Sequence, residues 1–187
     1  MNVDSAVALA MPLVFGAEGC RLVAYLDTLP LEPVWTIGHG TTQVDGHPVV
    51  AGLSCTRQQA DAWAAADLRS VAEQVLRCVK VTIDDFQLGA LASLAYNIGI
   101  GHFEHSSVLE ALNLGFFRPA ADRILEYDHA GGQVVDGLIT RRARERALFL
   151  TAMRPLLRLV QSPPPLTADD LNQREIDSLD PLPPAAA

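Results

Sequence analysis

Glu18 and Asp27 stand nine positions apart, on opposite sides of a change in sequence pattern. Ahead of Glu18 the apolar residues recur at helical spacing. Behind Asp27 come Pro30 and Pro33, then a short β-like run, Val34-Trp35-Thr36-Ile37, closed by Gly38 and Gly40. A helix end and a hairpin can thus face each other with one acid on each. Two carboxylates in unlike surroundings equip a site for acid and base chemistry on a glycosidic bond. One keeps its proton for the leaving oxygen, and the other is ionised and activates water or stabilises the oxocarbenium ion. Leu13, Val14 and Phe15 precede Glu18, so partial burial favours its protonated form and makes it the acid, with Asp27 the base. Alone the pair is a weak signal, since a helix-end Glu and a turn Asp are common in soluble chains.

The surrounding string is far more specific. Glu18-Gly19, Arg21-Leu22, Ala24-Tyr25 and Asp27, followed by Trp35-Thr36-Ile37-Gly38 and Gly40, closely resemble the phage-type lysozymes, the endolysins of glycoside hydrolase family 24. The resemblance implies a catalytic triad of Glu18, Asp27 and Thr36 acting on peptidoglycan by inversion, with Thr36 helping Asp27 to hold the attacking water. Inversion requires roughly 6.5 to 9.5 Å between the carboxyl groups. The sequence departs from the family in a longer link, Thr28 to Val34, and in His39 and Thr41. The family commonly has an aromatic or aliphatic residue at the first of these and a histidine at the second, so any structural role of that histidine is missing or displaced.

Two further motifs match in order. Tyr96-Asn97-Ile98-Gly99-Ile100-Gly101 resembles the family run that closes a buried helix beside the cleft, and Gly137 to Phe149 resembles its arginine-rich helix through Leu138, Arg141, Arg142, Glu145, Leu148 and Phe149. The resemblance implies that Tyr96, Asn97, Ser106 and Thr42 contact the sugar. It also implies that one of Arg141 and Arg142 approaches Glu18, with Arg142 preferred; a cation there lowers the Glu18 pKa against desolvation. Read without the family, Asn97 is a helix C-terminal residue, Ser106 an N-cap, and Arg144 and Arg146 a solvated basic face.

The elements that must position these residues are mainly helical. A helix over Asp4 to Ala17, capped by Asp4 or Ser5, is interrupted or kinked by Pro12 and ended by the turn Gly16 to Gly19. A hairpin region, Tyr25 to about Val50, turns at Asp45-Gly46. Thr56 and Gln59 spell a capping box ahead of a long amphipathic helix, 57–78, whose Ala60, Ala64, Leu68, Val71 and Val75 mark its apolar face, with Trp63 read as core. A buried helix starts between Thr82 and Asp85 and runs to Asn97 as the spine of the second lobe. Short helices over Val108 to Leu114 and Pro119 to His129 follow, the latter broken by Gly131-Gly132. The predicted fold is α+β: a small N-terminal β-hairpin lobe, about 15–55, joined by the long helix to a helical lobe, about 80–160. The catalytic domain is placed at 1–161. Residues 162–187 form a proline-rich acidic tail, with a brief helix at Leu171 to Leu179.

Composition bounds the rest. The 187 residues, 49% hydrophobic, suffice for one ordinary domain with a real core. Net charge is −8, half of it in the tail, and the arginines gather between Arg141 and Arg158, where a basic face can meet an anionic wall. Nucleic acid is excluded as a partner on this balance. The run Ala6 to Phe15 is too short to span a bilayer and lacks a basic flank, so neither membrane insertion, a secretory signal nor a signal anchor is expected. Cys20, Cys55 and Cys78 suit a reducing cytoplasm; Cys20, near Glu18, is either a redox switch or a small buried thiol. His39, His47, His102, His105 and His129 are scattered without ligand spacing, so no metal and no cofactor is expected. By the resemblance, the chain is a monomeric muramidase made in the bacterial cytoplasm. It acts on the wall in the periplasm for host lysis, with passage supplied by a separate pore protein. A lysozyme-like toxin or effector and a non-catalytic wall binder are the rival readings.

Overall fold

The computed structural model describes residues 1–28, 32–151 and 153, with backbone alone for Ala17 and Glu18. Met1–Ala152 form one compact unit. The expected tail at 162–187, its brief helix and the domain boundary at 161 lie outside the described residues, as does the middle of the link after Thr28.

Helix α1 runs unbroken over Val3–Glu18 and includes both Pro12 and Gly16. Its cap is Asn2, whose side chain accepts the Asp4 amide at 2.9 Å, in place of the expected Asp4 or Ser5. Pro12 removes the donor for the Ala8 carbonyl. Both residues are exposed, so water can satisfy that carbonyl and the helix survives. Ala6, Ala10 and Val14, four apart, form the buried stripe. Gly19 ends the helix.

Strands β1 (Arg21–Asp27) and β2 (Val34–Gly38) form an antiparallel hairpin with an irregularity between Arg21 and Tyr25 that bends β1. A second small hairpin pairs β3 (Gln43–Val44) with β4 (His47–Pro48). Its two-residue turn has φ of 51° at Asp45 and 77° at Gly46, the left-handed pair that an Asp-Gly turn supplies. Helix α2 (Arg57–Cys78) starts at the expected box: the Gln59 amide donates to Thr56 Oγ1 at 3.2 Å and the Thr56 amide to Gln59 Oε1 at 2.8 Å. Its buried face uses Ala72 where Val71 was expected, and Trp63 is half-exposed instead of core.

Helix α3 (Asp85–Ile98) carries a second capping box, Asp84 with Gln87, and is buried continuously from Gln87 to Ala95. It packs against α1, α2 and α7 (Asp136–Phe149), which makes it the spine of the helical lobe. Around it lie α4 (Ile100–Glu104), α5 (Ser107–Asn113), α6 (Phe117–Arg123), a 3-10 turn (Ile124–Glu126) and a small hairpin, β5 (His129–Ala130) with β6 (Gln133–Val134). That hairpin replaces the end of the helix expected to reach His129, because Gly131-Gly132 turns the chain instead of merely stopping it. Leu88, Leu91, Leu94, Phe103, Leu112, Ile124 and Phe149 are fully buried and form the core. Among the described residues no helix is long and apolar enough to cross a membrane.

Gly89 is where α1 and α3 meet most closely. A Cβ there would lie 2.8 Å from the Ala6 carbonyl oxygen and 3.3 Å from the Leu9 Cβ. Gly89→Ala gains helix propensity worth about 1 kcal/mol, but the backbone oxygen cannot step aside, and overpacking costs about 1–3 kcal/mol. The expected outcome is a lower midpoint in thermal unfolding; an unchanged or raised midpoint would show that the two helices slide apart freely.

Candidate active site

Asp27 and Thr36 meet through strand register. Tyr25 pairs with Thr36, Leu26 with Trp35 and Asp27 with Val34. Side chains alternate along a strand, and directly opposed residues share a face. Asp27, Tyr25, Thr36 and Val34 therefore occupy one face of the hairpin, with Asp27 and Thr36 on its diagonal, while Leu26 and Trp35 point the other way. Asp27 is half-buried; Thr36 is 3% exposed, and its hydroxyl donates to the Val34 carbonyl at 3.3 Å. The Arg21 guanidinium lies over the Tyr25 ring, 4.2 Å from its centre.

The last turns of α1 have neighbours at Phe15 and Gly16. Phe15 stacks on His39 with ring centres 4.1 Å apart and planes at 17°. One residue on, an Arg144 guanidinium nitrogen lies 3.5 Å from where a Cβ on Gly16 would stand. Glu18 is the final residue of this helix. Its side chain lies outside the described residues, and with it the distance to Asp27.

His39 and Thr41, the two departures from the family pattern, both contact α2. His39 Nε2 sits 2.7 Å from Asp61 Oδ1, and Thr41 Oγ1 donates to Asp67 Oδ2 at 2.9 Å, so both tie the hairpin lobe to α2. An ionised carboxylate only accepts, which puts the His39 proton on Nε2. The ring is fully buried, and its Nδ1 has no hydrogen-bond partner among the described residues. The two acids respond oppositely: the His39 hydrogen bond, with Arg57, holds Asp61 below the ordinary carboxylate range, while burial pushes Asp67 up. A lowered carboxyl contributes stability above its unfolded value and loses it as pH falls through the folded one. Asp61→Asn should therefore lower the wild-type melting temperature at neutral pH, with the gap narrowing below roughly pH 4; a gap that widens in acid would contradict the anchor.

Two pockets lie beside Leu138 of α7, and neither is lined by Asp27, Thr36 or any other residue of β1 or β2. One, of about 380 Å³, is lined by Leu13 and Gly16 of α1, by Asn97, and by Leu138, Thr140, Arg141 and Arg144 of α7, among others. The second, of about 350 Å³, shares Asn97 and Leu138 and adds His102, Tyr127 and His129. Asn97 is exposed and stands on the partition between them. Tyr96 lies beneath, its hydroxyl donating to the His39 carbonyl at 3.2 Å, which links α3 to the hairpin. Ser106 and Thr42 line neither pocket. Ser106 is a buried N-cap of α5, accepting the Leu109 amide at 3.1 Å, and Thr42 is exposed in the β2–β3 connection.

The two adjacent arginines sit in different surroundings. Arg142 is fully buried and turned inward, with one terminal nitrogen 2.5 Å from Glu145 Oε2 and the other donating to Asn97 Oδ1. Arg141 and Arg144 are the arginines that line the pocket beside α1, and Arg144 is solvent-exposed, as expected of a basic helix face. Glu145 also accepts from Ser93 Oγ at 2.6 Å and Arg141 Nε at 3.1 Å. Burial pushes its carboxyl up, and Arg142, Ser93 and Arg141 pull it back. The sequence showed Arg141, Arg142 and Glu145 within one helical turn; only the fold shows that this turn faces the core. Cys20, Cys55 and Cys78 are free and half-exposed, so the buried-thiol reading of Cys20 does not hold.

A hairpin lobe joined by one long helix to a helical lobe, with an acid on the hairpin and another at the end of α1, defines a lysozyme-like α+β protein. The profile of the phage lysozyme family matches residues 16–145, and the chain belongs to that family. It is 36% identical over 151 residues to the endolysin of Bacillus phage B103, covering 81% of this chain and 55% of that protein. It is 36% identical over 148 residues to the SAR-endolysin of Enterobacteria phage P21, covering 78% and 88%. A solved P22 lysozyme mutant superposes with a TM-score of 0.65 at 38% identity, covering 76% of this chain and 95% of that one. The chain thus spans about half the length of the first relative and most of the other two.

Proposed function

We propose that the chain is a phage endolysin, a muramidase that hydrolyses the β-1,4 bond between N-acetylmuramic acid and N-acetylglucosamine by inversion. The observation that carries this reading is the family match over residues 16–145, which spans Glu18, Asp27, Thr36 and the arginine helix on a lysozyme-like fold. In it, Glu18 gives its proton to the leaving oxygen while Asp27 takes one from a water on the opposite face of the sugar. Thr36, diagonal to Asp27, shares that water through the oxygen lone pairs its bond to Val34 leaves unused. Asn97 and Tyr96 border the bound glycan. The rival readings, a toxin or effector and a non-catalytic wall binder, are not favoured, since the matched relatives are endolysins by name.

The same reading has a monomer made in the bacterial cytoplasm and acting on the wall from the periplasm, with passage supplied by a separate pore protein. Arg144 at the pocket rim offers positive charge to an anionic wall despite the net charge of −8. Purified Gram-negative peptidoglycan tests the activity. The full chain should release reducing N-acetylmuramic acid ends whose first-formed anomer is α. Absence of reducing ends would remove the muramidase reading, and a first-formed β-anomer would remove inversion.

A further inference from the structure

Arginine has no acceptor, so the amide atom of Asn97 that meets Arg142 must be its oxygen. This decides the orientation of an otherwise ambiguous amide. With Oδ1 committed inward, the NH2 group is left for the partition between the two pockets, and no partner takes it among the described residues. Arg142 is itself immobilised by Glu145, and Glu145 by Ser93 and Arg141, while a second Arg141 nitrogen donates to the Ser93 carbonyl at 3.2 Å. Every member behind Asn97 is at most 3% exposed. A buried charge cluster of this kind is a poor source of stability, because packed apolar side chains would serve as well. What it supplies is position: the Asn97 amide is held at a fixed place by a network that spans α3 and α7.

We propose that Glu145 is a positioning residue which, through Arg142, holds Asn97 as a hydrogen-bond donor to a carbonyl or hydroxyl oxygen of the bound glycan. The proposal rests on the muramidase reading and names what that site recognises: an oxygen acceptor such as an acetamido carbonyl, bound against the Asn97 amide.

The test is a double-mutant cycle on reducing-end release from purified peptidoglycan, with KM, kcat and melting temperature measured for each protein. Asn97→Ala should raise KM about fivefold to tenfold with kcat within a factor of two, as one hydrogen bond implies. Glu145→Gln should raise KM by a similar factor and also melt lower. The double variant should have the KM of Asn97→Ala alone while keeping the lower melting temperature, since residues acting through one another are not additive. KM effects that multiply, or a Glu145→Gln protein with wild-type KM, would overturn the proposal. Should Glu145→Gln fail to fold, Asn97→Asp decides: it keeps an oxygen toward Arg142 but turns the donor into an acceptor. It should melt no lower than wild type and raise KM at least as much as Asn97→Ala; a wild-type KM would overturn the proposal. A wild type that releases no reducing ends would instead remove the underlying muramidase reading.

Discussion

Asp27→Asn is expected to lower the rate of wall hydrolysis by about 10²–10⁴-fold, the range for losing a positioned general base, with the fold intact. Asp27 closes β1 at its pairing with Val34 and is half-buried, so an amide of the same shape fits the same place. What the amide cannot do is take a proton from water. Because the water approaches from the face opposite the leaving group, the loss should fall on kcat more than on KM. Thr36 offers no substitute base: its hydroxyl does not ionise at working pH, and its proton already goes to the Val34 carbonyl. Initial rates of reducing-end release and a circular dichroism melt check this together. Residual activity above a tenth of wild type would remove Asp27 from the chemistry.

Arg142→Leu should be the largest single loss of stability away from the apolar core. The guanidinium is fully buried and joins Glu145 to Asn97. Its removal leaves the Glu145 carboxylate in the interior with Arg141 and Ser93 but without its closest cation. Breaking a buried pair by deleting one partner costs about 3–5 kcal/mol, because the surviving charge is left undercompensated. In a chain of this size 1 kcal/mol moves the melting temperature by about 2–4 °C, so thermal unfolding should shift down by roughly 6–20 °C. Arg142→Lys keeps the charge but loses the fork that reaches two acceptors at once, and should fall between. A shift under 2 °C for Arg142→Leu would mean that Glu145 does not depend on it.

Much of this was legible in the sequence because it rests on local chemistry. The Thr56–Gln59 capping box, the Asp45-Gly46 turn and the apolar run of α3 are each fixed by a few adjacent residues. What escaped was decided between elements. Pro12 reads as a break or kink, yet Ala8, whose carbonyl it leaves without a donor, is exposed and α1 continues. Arg141 and Arg142 are adjacent in sequence and about 100° apart around a helix. Only the packing of α7 on α3 says that one lines the pocket and the other reaches Asn97 from within. The pairing of His39 with Asp61 has no local signal either, since the partners lie 22 residues apart on a hairpin and a helix.

The central claim is that a proton held at the end of α1 reaches the leaving oxygen of a wall saccharide. The most direct measurement is clearing of outer-membrane-stripped Gram-negative cells by wild type and Glu18→Gln, compared at equal folded concentration. Wild type should clear the suspension while Glu18→Gln, which keeps the shape but has no acidic proton, leaves it turbid with an unchanged melting temperature. Equal clearing by the two proteins would contradict the account.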